Sequence, residues 1–346
     1  MIIGPSIVNI AINLVALFLA ASTTSWTGQQ PQLATDGTRM FLAFARDNGI
    51  AVLQARGDAS FSERSTIAVS GKMAAGMRRG PRIAVTSRAV LVSAVAGEKG
   101  GGADGDVVLF RSTDDGRTWS PSTVINDVSG SAREGMHGMA ANRGGVVAIA
   151  WLDLRERGTR IFAAISRDHG VTWSRDVLVY ASPSGSVCEC CHPSVAVDDR
   201  GTVAVMFRNQ IDGRRDMYLT RSRDGSTFEP AVKIGTGTWV LDACPMDGGD
   251  LELTPNGAVT IWRREDVVYM SDAADPEQRV AAGRDAVVAV AGSRRDIAWS
   301  SPEGVLVRRA GRTHNLGPGR FPVLLAFPNS TVVAWEDRGQ VKVGTL

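Results

Sequence analysis

The feature that most constrains this chain is a repeated strand motif, a run of small and β-branched residues that closes on one anchor residue followed by polar positions. The spacings between successive anchors are 51, 56, 56, 55, 37 and 36 residues, each the length of one supersecondary unit. The sequence therefore predicts seven repeats in a single domain. The anchors are Phe44, Val95 (a degenerate copy), Trp151, Phe207, Trp262, Trp299 and Trp335.

Short apolar strands flank each anchor strand, and Gly, Asp and Asn turns separate them without helical periodicity. Three or four short strands per unit are typical of propeller blades, and the missing helices exclude a parallel α/β fold. We predict an all-β, seven-bladed β-propeller over residues 23–346, with six blades plus an irregular region as the alternative. The last unit has only three strands, so residues 23–28 are expected to supply its fourth and close the ring.

Residues 1–22 contain no Lys, Arg, Asp or Glu, and their apolar run ends in Ala20, Ala21 and Ser22. This pattern predicts a signal peptide and a secreted or periplasmic protein; an uncleaved membrane anchor and a misassigned start codon are the alternatives. A membrane partner is expected only if the segment stays attached. The 38 basic and 36 acidic residues are scattered along the chain, which excludes the clustered positive charge that nucleic acid binding requires.

Three consecutive units carry a polar turn of the form S-x-D-x-G-x-T-W after the third strand. An Asp that accepts turn amides, a Gly at positive φ and an aromatic that folds back onto the sheet explain its spacing. The segments resemble the Asp box of BNR-repeat, sialidase (neuraminidase)-like propellers. The resemblance implies structural turns on the face away from the ligand, not catalytic acids. The positions are Ser112, Asp114, Gly116 and Trp119; Ser166, Asp168, Gly170 and Trp173; and, in a shorter variant, Ser222, Asp224 and Phe228.

In such a propeller the crossings between blades and the turns after second strands share the other face, where a ligand is expected. All four cysteines lie in two of these crossings, and we predict that they cluster at the mouth of the axial channel. Paired thiols would form disulfides, whereas thiolates with imidazole would suit copper or zinc. A reactive thiol redox centre is a third interpretation. The predicted cluster comprises Cys188, Cys190, Cys191, His192 and Cys244, with His137 alongside.

The resemblance implies that a sialidase needs three arginines, a Tyr/Glu pair and an acid. No such set is recognisable, and the tyrosines lie in predicted third or fourth strands, where cross-strand packing is the simpler interpretation. Sialidase activity is expected to be absent or very weak. Two carboxylates, among Asp153, Asp247 and Glu336, could in principle act as another glycosidase pair. The weak catalytic candidates are Tyr269, Glu265, Asp153, Asp247, Arg82, Arg208 and Arg263.

Two function classes stay open. The first is a ligand- or metal-binding propeller that uses the Cys/His cluster, with a glycan, small ligand or protein at the site face. The second is an exo-α-sialidase-type glycoside hydrolase.

Overall fold

The computed structural model describes residues 24–56 and 59–346, and every regular element in these ranges is a β-strand. The strands form seven antiparallel sheets, and the first strands of neighbouring sheets contact each other in a closed ring around a central channel. The chain is a seven-bladed β-propeller, which confirms the predicted fold class.

Each blade places its first strand at the axis and its last at the rim. Blade 1 contains β2 (Gln29–Thr35), β3 (Arg39–Arg46), β4 (Gly49–Arg56) and β5 (Ser62–Ala68). Blade 2 contains β6 (Lys72–Met73), β7 (Arg82–Val85), β8 (Val90–Gly97), β9 (Asp106–Ser112) and β10 (Thr123–Val124). Blade 3 contains β11 (His137–Ala141), β12 (Val147–Asp153), β13 (Arg160–Ser166) and β14 (Val177–Tyr180). Blade 4 contains β15 (Ser194–Val197), β16 (Val203–Arg208), β17 (Met217–Ser222) and β18 (Val232–Lys233).

Blade 5 contains β19 (Asp250–Thr254), β20 (Gly257–Arg264), β21 (Val267–Ser271) and β22 (Gln278–Ala282). Blade 6 contains β23 (Arg284–Ala291), β24 (Arg294–Ser301), β25 (Gly304–Arg309) and β26 (Arg312–Asn315). Blade 7 contains β27 (Arg320–Ala326), β28 (Thr331–Asp337), β29 (Gln340–Thr345) and, at the rim, β1 (Thr24–Thr27).

All seven anchors lie in second strands and are at most 3% exposed. Seven apolar clusters fill the spaces between neighbouring blades, one for each interface around the ring. Burying an anchor as large as Phe44 stabilises the fold by roughly 2–3 kcal/mol, so each unit depends on both neighbours. This dependence is why the motif repeats through the whole chain.

The strand β1 pairs with β29 in antiparallel register, from Thr24 opposite Val343 to Thr27 opposite Gln340. The last blade therefore takes three strands from the C-terminal end and one from the N-terminal end of the described chain. Residues 1–22, with the predicted signal peptide or anchor, lie outside the described residues. Within the described ranges, no helix long and apolar enough to cross a membrane is present.

The three Asp boxes form tight turns between the third and fourth strands of blades 2, 3 and 4. In the first, Asp114 Oδ1 accepts the amide N–H groups of Arg117 and Thr118 at 3.1 and 2.9 Å. The Trp119 indole reaches blade 1, where its Nε1–H donates to Ser65 Oγ at 2.8 Å. Each carboxylate is thus used within its own turn, while the aromatic residue of each box packs on the preceding blade.

The other two boxes repeat these contacts. Asp168 accepts the N–H groups of Val171 and Thr172, and Asp224 accepts those of Ser226 and Thr227. Hydrogen bonds from Thr172 lower the pKa of Asp168 to about 2, which favours the ionised carboxylate at neutral pH.

Candidate functional site

A cleft of about 760 Å³ lies over blades 5, 6 and 7. Its walls come from blade crossings and from turns after second strands, which places it on the face opposite to the Asp boxes. The crossings at residues 282–285 and 319–321 and the turn at 300–302 supply most of the lining. Met246 adds a wall from the crossing into blade 5, and Met77 reaches over from blade 2, whose first strand is interrupted between β6 and β7.

Two crossings that line the cleft share a backbone turn that begins with a glycine. Gly283 and Gly319 have φ values of +147° and +150° and precede the first strands of blades 6 and 7. A Cβ added at Gly283 would lie 2.5 Å from Cδ1 of the anchor Trp299. Only glycine lets the backbone pass this close over the anchor ring.

Two residues after each glycine the chain turns back through a second left-handed residue, Asp285 (φ 56°) and Phe321 (φ 54°). Met77 (φ 52°) and Met246 (φ 58°) adopt the same region, so four non-glycine residues that line the cleft are left-handed. Each such residue costs on the order of 1 kcal/mol, and strain of this kind concentrates at ligand sites. The clustering singles out this cleft as a functional candidate.

Two buried carboxyls, Asp247 and Asp285, lie beneath the cleft, and the amide N–H of Asp285 donates to Asp247 Oδ2 at 2.9 Å. Burial raises the pKa of Asp285 above its usual range, and the Arg78 guanidinium offsets only part of this effect. Burial also raises the pKa of Asp247, but the Asp285 N–H and the charge of Arg263 outweigh it, and the net shift is downward. The pair therefore combines a carboxyl that favours its proton with one that favours ionisation.

Three arginines line the cleft. Arg263 is mostly buried: its Nη2 donates to the Pro245 carbonyl at 2.7 Å, and its Nε lies 3.3 Å from Asp247 Oδ2. Arg284 and Arg320 have side chains 48% and 62% exposed, and their contacts with the carboxylates of Asp285 and Glu336, at 3.6 and 3.4 Å, are long. These two guanidinium groups therefore retain donors that a ligand can use.

The axial channel holds a second group of ionisable residues, in a cavity of about 290 Å³ lined by first strands. Arg82 lies at its wall and donates to the carbonyls of Pro81 and Arg78; burial and the Arg78 charge lower its pKa to about 9. Burial raises the pKa of Asp250 to about 6 and that of Glu252 to about 8. The channel thus contains carboxyls whose protonation changes near neutral pH.

The thiol group consists of Cys188, Cys190 and Cys191, all buried in the crossing from blade 3 to blade 4. Cys188 Sγ lies 3.4 Å from Cys191 Sγ and 3.7 Å from Cys190 Sγ. Arg215 Nη1 donates to Cys188 Sγ at 3.3 Å. Hydrogen bonds with the other two thiols, together with the charges of Arg208 and Arg215, lower the pKa of Cys188 despite its burial.

The structure brings together only part of the predicted Cys/His cluster. All four cysteines are free, and the ligand atoms of Cys244, His192 and His137 lie outside the thiol group. His192 lines the channel, and its Nε2–H donates to the Gly249 carbonyl at 3.1 Å. His137 Nε2 lies 2.9 Å from Ser93 Oγ in a buried pair, while Cys244 is exposed. Metal and disulfide chemistry at these residues stay predictions.

The remaining catalytic candidates lie apart from one another. Tyr269 stacks on Trp262 in mid-strand with a ring centroid distance of 6.1 Å, whereas Glu265 lies in the exposed turn before that strand. The Asp153 carboxylate is occupied by Arg155 and Trp151, each at 2.8 Å.

Two further candidates are held by local contacts. Glu336 Oε2 accepts the backbone N–H and the side-chain amide of Gln30, at 3.1 and 3.2 Å. The buried Arg208 donates to three backbone carbonyls, those of Asp247, Arg215 and Arg263. Of the weak catalytic candidates, only Arg263 lines the cleft, and Asp247 contacts two of the lining residues, Arg263 and Asp285.

Residues 67–245 match the family model described as "BNR repeat-like domain", which covers more than half of the chain. The chain belongs to this family. It is a BNR-repeat propeller. A search of the curated proteins found no match.

Solved structures similar to this BNR-repeat propeller include several carbohydrate-active enzymes. An α-L-arabinanase of Penicillium chrysogenum, complexed with arabinobiose, is 12% identical with a TM-score of 0.54, over 93% of this chain and 98% of that one. An α-L-arabinofuranosidase of Fusarium graminearum is 11% identical with a TM-score of 0.55, over 92% and 93%. A Trypanosoma rangeli sialidase is 11% identical with a TM-score of 0.50, over 94% of this chain and 60% of that one. At these identities the similarity shows the fold alone.

Sequence reasoning missed Asp285, Arg284, Arg320 and Phe321 as site residues. A signal for them was present, because Gly28, Gly283 and Gly319 each stand 16 residues before the anchor aromatic of their blade. A glycine at a constant distance before a buried ring indicates a close backbone approach, and the residues that follow it face the site. Arg215 and Met246 had no comparable sequence signal, because their neighbours come from other crossings.

Proposed function

We propose that this BNR-repeat propeller binds an acidic glycan in the cleft over blades 5, 6 and 7. The observation that carries the proposal is the pair Arg284 and Arg320, half-exposed guanidinium groups in one cleft whose donors are only weakly engaged by the protein. A sugar carboxylate or sulfate would accept their N–H groups in the forked geometry that arginine provides.

The rest of the cleft suits a sugar ring. Phe321, Met77, Met246 and Pro302 supply apolar surface on which the C–H face of a ring can lie. Ser300 also lines the cleft, whereas the Ser301 hydroxyl is used within its own turn and donates to the Gly304 carbonyl at 3.1 Å. A volume of about 760 Å³ lies within the range of small-ligand sites and suits a short oligosaccharide.

The neighbours in fold support the same ligand class. The arabinanase structure contains arabinobiose, and one arabinofuranosidase structure contains an iminosugar inhibitor. These proteins are too distant to transfer a substrate, and the arginines of this chain favour a negatively charged sugar over a neutral arabinan.

Calorimetric titration with oligogalacturonate and sialyllactose, each compared with neutral arabinobiose and lactose, tests the proposal. We expect an acidic sugar to bind and its neutral counterpart to bind at least about tenfold more weakly, the loss of one charge-assisted contact. Arg284→Ala and Arg320→Ala should each weaken binding by a similar factor.

Arg312→Ala is the matched control, because it removes an exposed arginine at the start of β26, next to the turn between third and fourth strands on the opposite face. Its binding should equal that of the wild type. Equal affinity for neutral and acidic sugars, or full binding by both cleft variants, would contradict the proposal.

Glycoside hydrolysis at the same cleft is the second candidate, and the opposed pKa shifts of Asp285 and Asp247 favour it. A carboxyl with a raised pKa beside one with a lowered pKa is the pairing that a general acid and its partner require. Asp285→Asn should abolish turnover of an acidic glycan that the variant still binds. Unchanged turnover in this variant would exclude Asp285 as the acid.

Sialidase chemistry proper is expected to be absent or very weak, because Tyr269 and Glu265 do not line the cleft. A fluorogenic sialoside provides the assay. Efficient turnover that Tyr269→Phe abolishes would overturn this expectation.

A further inference from the structure

We infer that Cys188, Cys190 and Cys191 form a copper(I) site whose thiol ligands lie outside the glycan cleft. Their sulfur atoms lie within 4.8 Å of one another in a buried pocket, close enough for one ion to contact all three after small side-chain rotations. None of the three lines the cleft, so the site goes beyond the proposed glycan function.

The atoms around the thiols select the kind of metal. Met246, a thioether residue that also forms a wall of the glycan cleft, packs against the cluster of the three cysteines. The His192 imidazole is directed instead at the Gly249 carbonyl in the channel. A set of thiolates with a thioether neighbour is soft and matches copper(I), whereas a structural zinc site takes four ligands from Cys, His or carboxylates.

The charges around the pocket fit a bound thiolate complex. Three thiolates and one copper(I) ion carry a net charge of −2, which a buried site must balance. Arg215 donates to Cys188 Sγ at 3.3 Å. Arg208 is fully buried, and its guanidinium donates to three backbone carbonyls, which carry no net charge. Both arginines contact Cys188: Arg215 donates to its thiol, and the Arg208 carbonyl accepts the Cys188 N–H at 3.1 Å.

A disulfide explains the arrangement of the three thiols less well than a metal site does. The shortest Sγ–Sγ separation is 3.4 Å, against about 2.0 Å in a disulfide, and any pairing within the run would leave the third thiol unused. Cys244, two residues before Met246 along the chain, is exposed and free. It serves as an internal control for thiol chemistry.

The test is an anaerobic titration of the full, reduced protein with copper(I) supplied by a chromophoric chelator, followed by X-ray absorption spectroscopy. We expect one copper per chain and a coordination shell that contains only sulfur. Cys244→Ser should bind the same amount, and Cys191→Ser should lose at least about tenfold in affinity. Zinc(II) should not compete at equal concentration.

The wild-type spectrum decides the proposal even if a cysteine variant fails to fold. A shell that contains nitrogen or oxygen, uptake of zinc in preference to copper, or no copper uptake by reduced protein would each overturn it. Loss of copper in Cys244→Ser alone would assign the metal to another site and overturn it as well.

Discussion

The two faces of this propeller use their carboxylates in opposite ways. On the Asp-box face, Asp114, Asp168 and Asp224 bind amides of their own turns, within four residues along the chain. On the site face, the Asp247 carboxylate contacts the Arg263 guanidinium and the backbone N–H of Asp285, which come from blade 5 and from the crossing into blade 6. A carboxylate whose hydrogen bonds come from its own turn stabilises that turn. The pKa of a carboxylate whose partners come from other blades is instead set by those partners.

The difference extends to the pKa shifts. The three box carboxyls have lowered pKa values because turn hydrogen bonds favour the charged form. Near the axis, burial raises the pKa values of Asp285, Asp250 and Glu252. Carboxyls whose pKa is raised by burial mark candidate functional sites. Here they lie near the axis and on the site face, not in the repeated acidic turns.

The largest effect is expected from Asp247→Ala. This substitution leaves the nearly buried Arg263 without its carboxylate, and we expect the free energy of unfolding to fall by about 3–5 kcal/mol. Urea denaturation of wild type and variant measures the change. Asp168→Ala is the comparison on the opposite face and should lower the free energy of unfolding by less. Equal losses at the two positions would remove the distinction between the faces.

A smaller effect is expected from Glu252→Gln and depends on pH. Because burial raises the pKa of Glu252 from 4.5 to about 8, the folded state holds a proton that the unfolded state has lost between these values. Stability should therefore be full below about pH 4.5 and decrease as the pH rises toward 8. Thermal unfolding scans from pH 4 to 9 should show a shallower decrease for the variant, with a melting temperature at least about 2 °C higher at pH 9.

A variant that follows the wild-type curve throughout would show that the channel carboxyl is not held neutral.

The smallest effect is expected from Asp168→Asn, and it has the opposite sign with pH. The carboxyl has a pKa of about 2 in the folded protein against 3.8 normally, so its contribution is present above pH 4 and is lost as the pH falls through 2. The difference in stability between wild type and variant should shrink below pH 4 in acid titrations followed by circular dichroism. A difference that grows at low pH would contradict the turn contacts.

The sequence predicted the fold because the repeat and the Asp boxes are local patterns with fixed spacing. Each anchor falls in a second strand, and the box residues Asp114 and Trp119 make contacts that their spacing anticipates. The site was predicted less well. Cys188, Cys190 and Cys191 are close in sequence and close in space, but Cys244 and His192 face other surroundings.

The cleft residues were not predicted, because they come from segments that are distant in sequence. Arg284 and Arg320 are the first residues of β23 and β27. They line the same cleft because the ring is curved, and no local sequence pattern encodes this curvature. Phe321 contributes to the cleft through a left-handed backbone that its residue type does not favour.

Hydrogen–deuterium exchange of the wild-type protein, with and without saturating oligogalacturonate, tests the central claim that the two faces divide stability and recognition. The account predicts slower exchange at residues 282–285, 300–302 and 319–321 and no change at the Asp boxes, residues 112–119 and 166–173. Protection at the boxes, or at neither face when the sugar is bound, would contradict it.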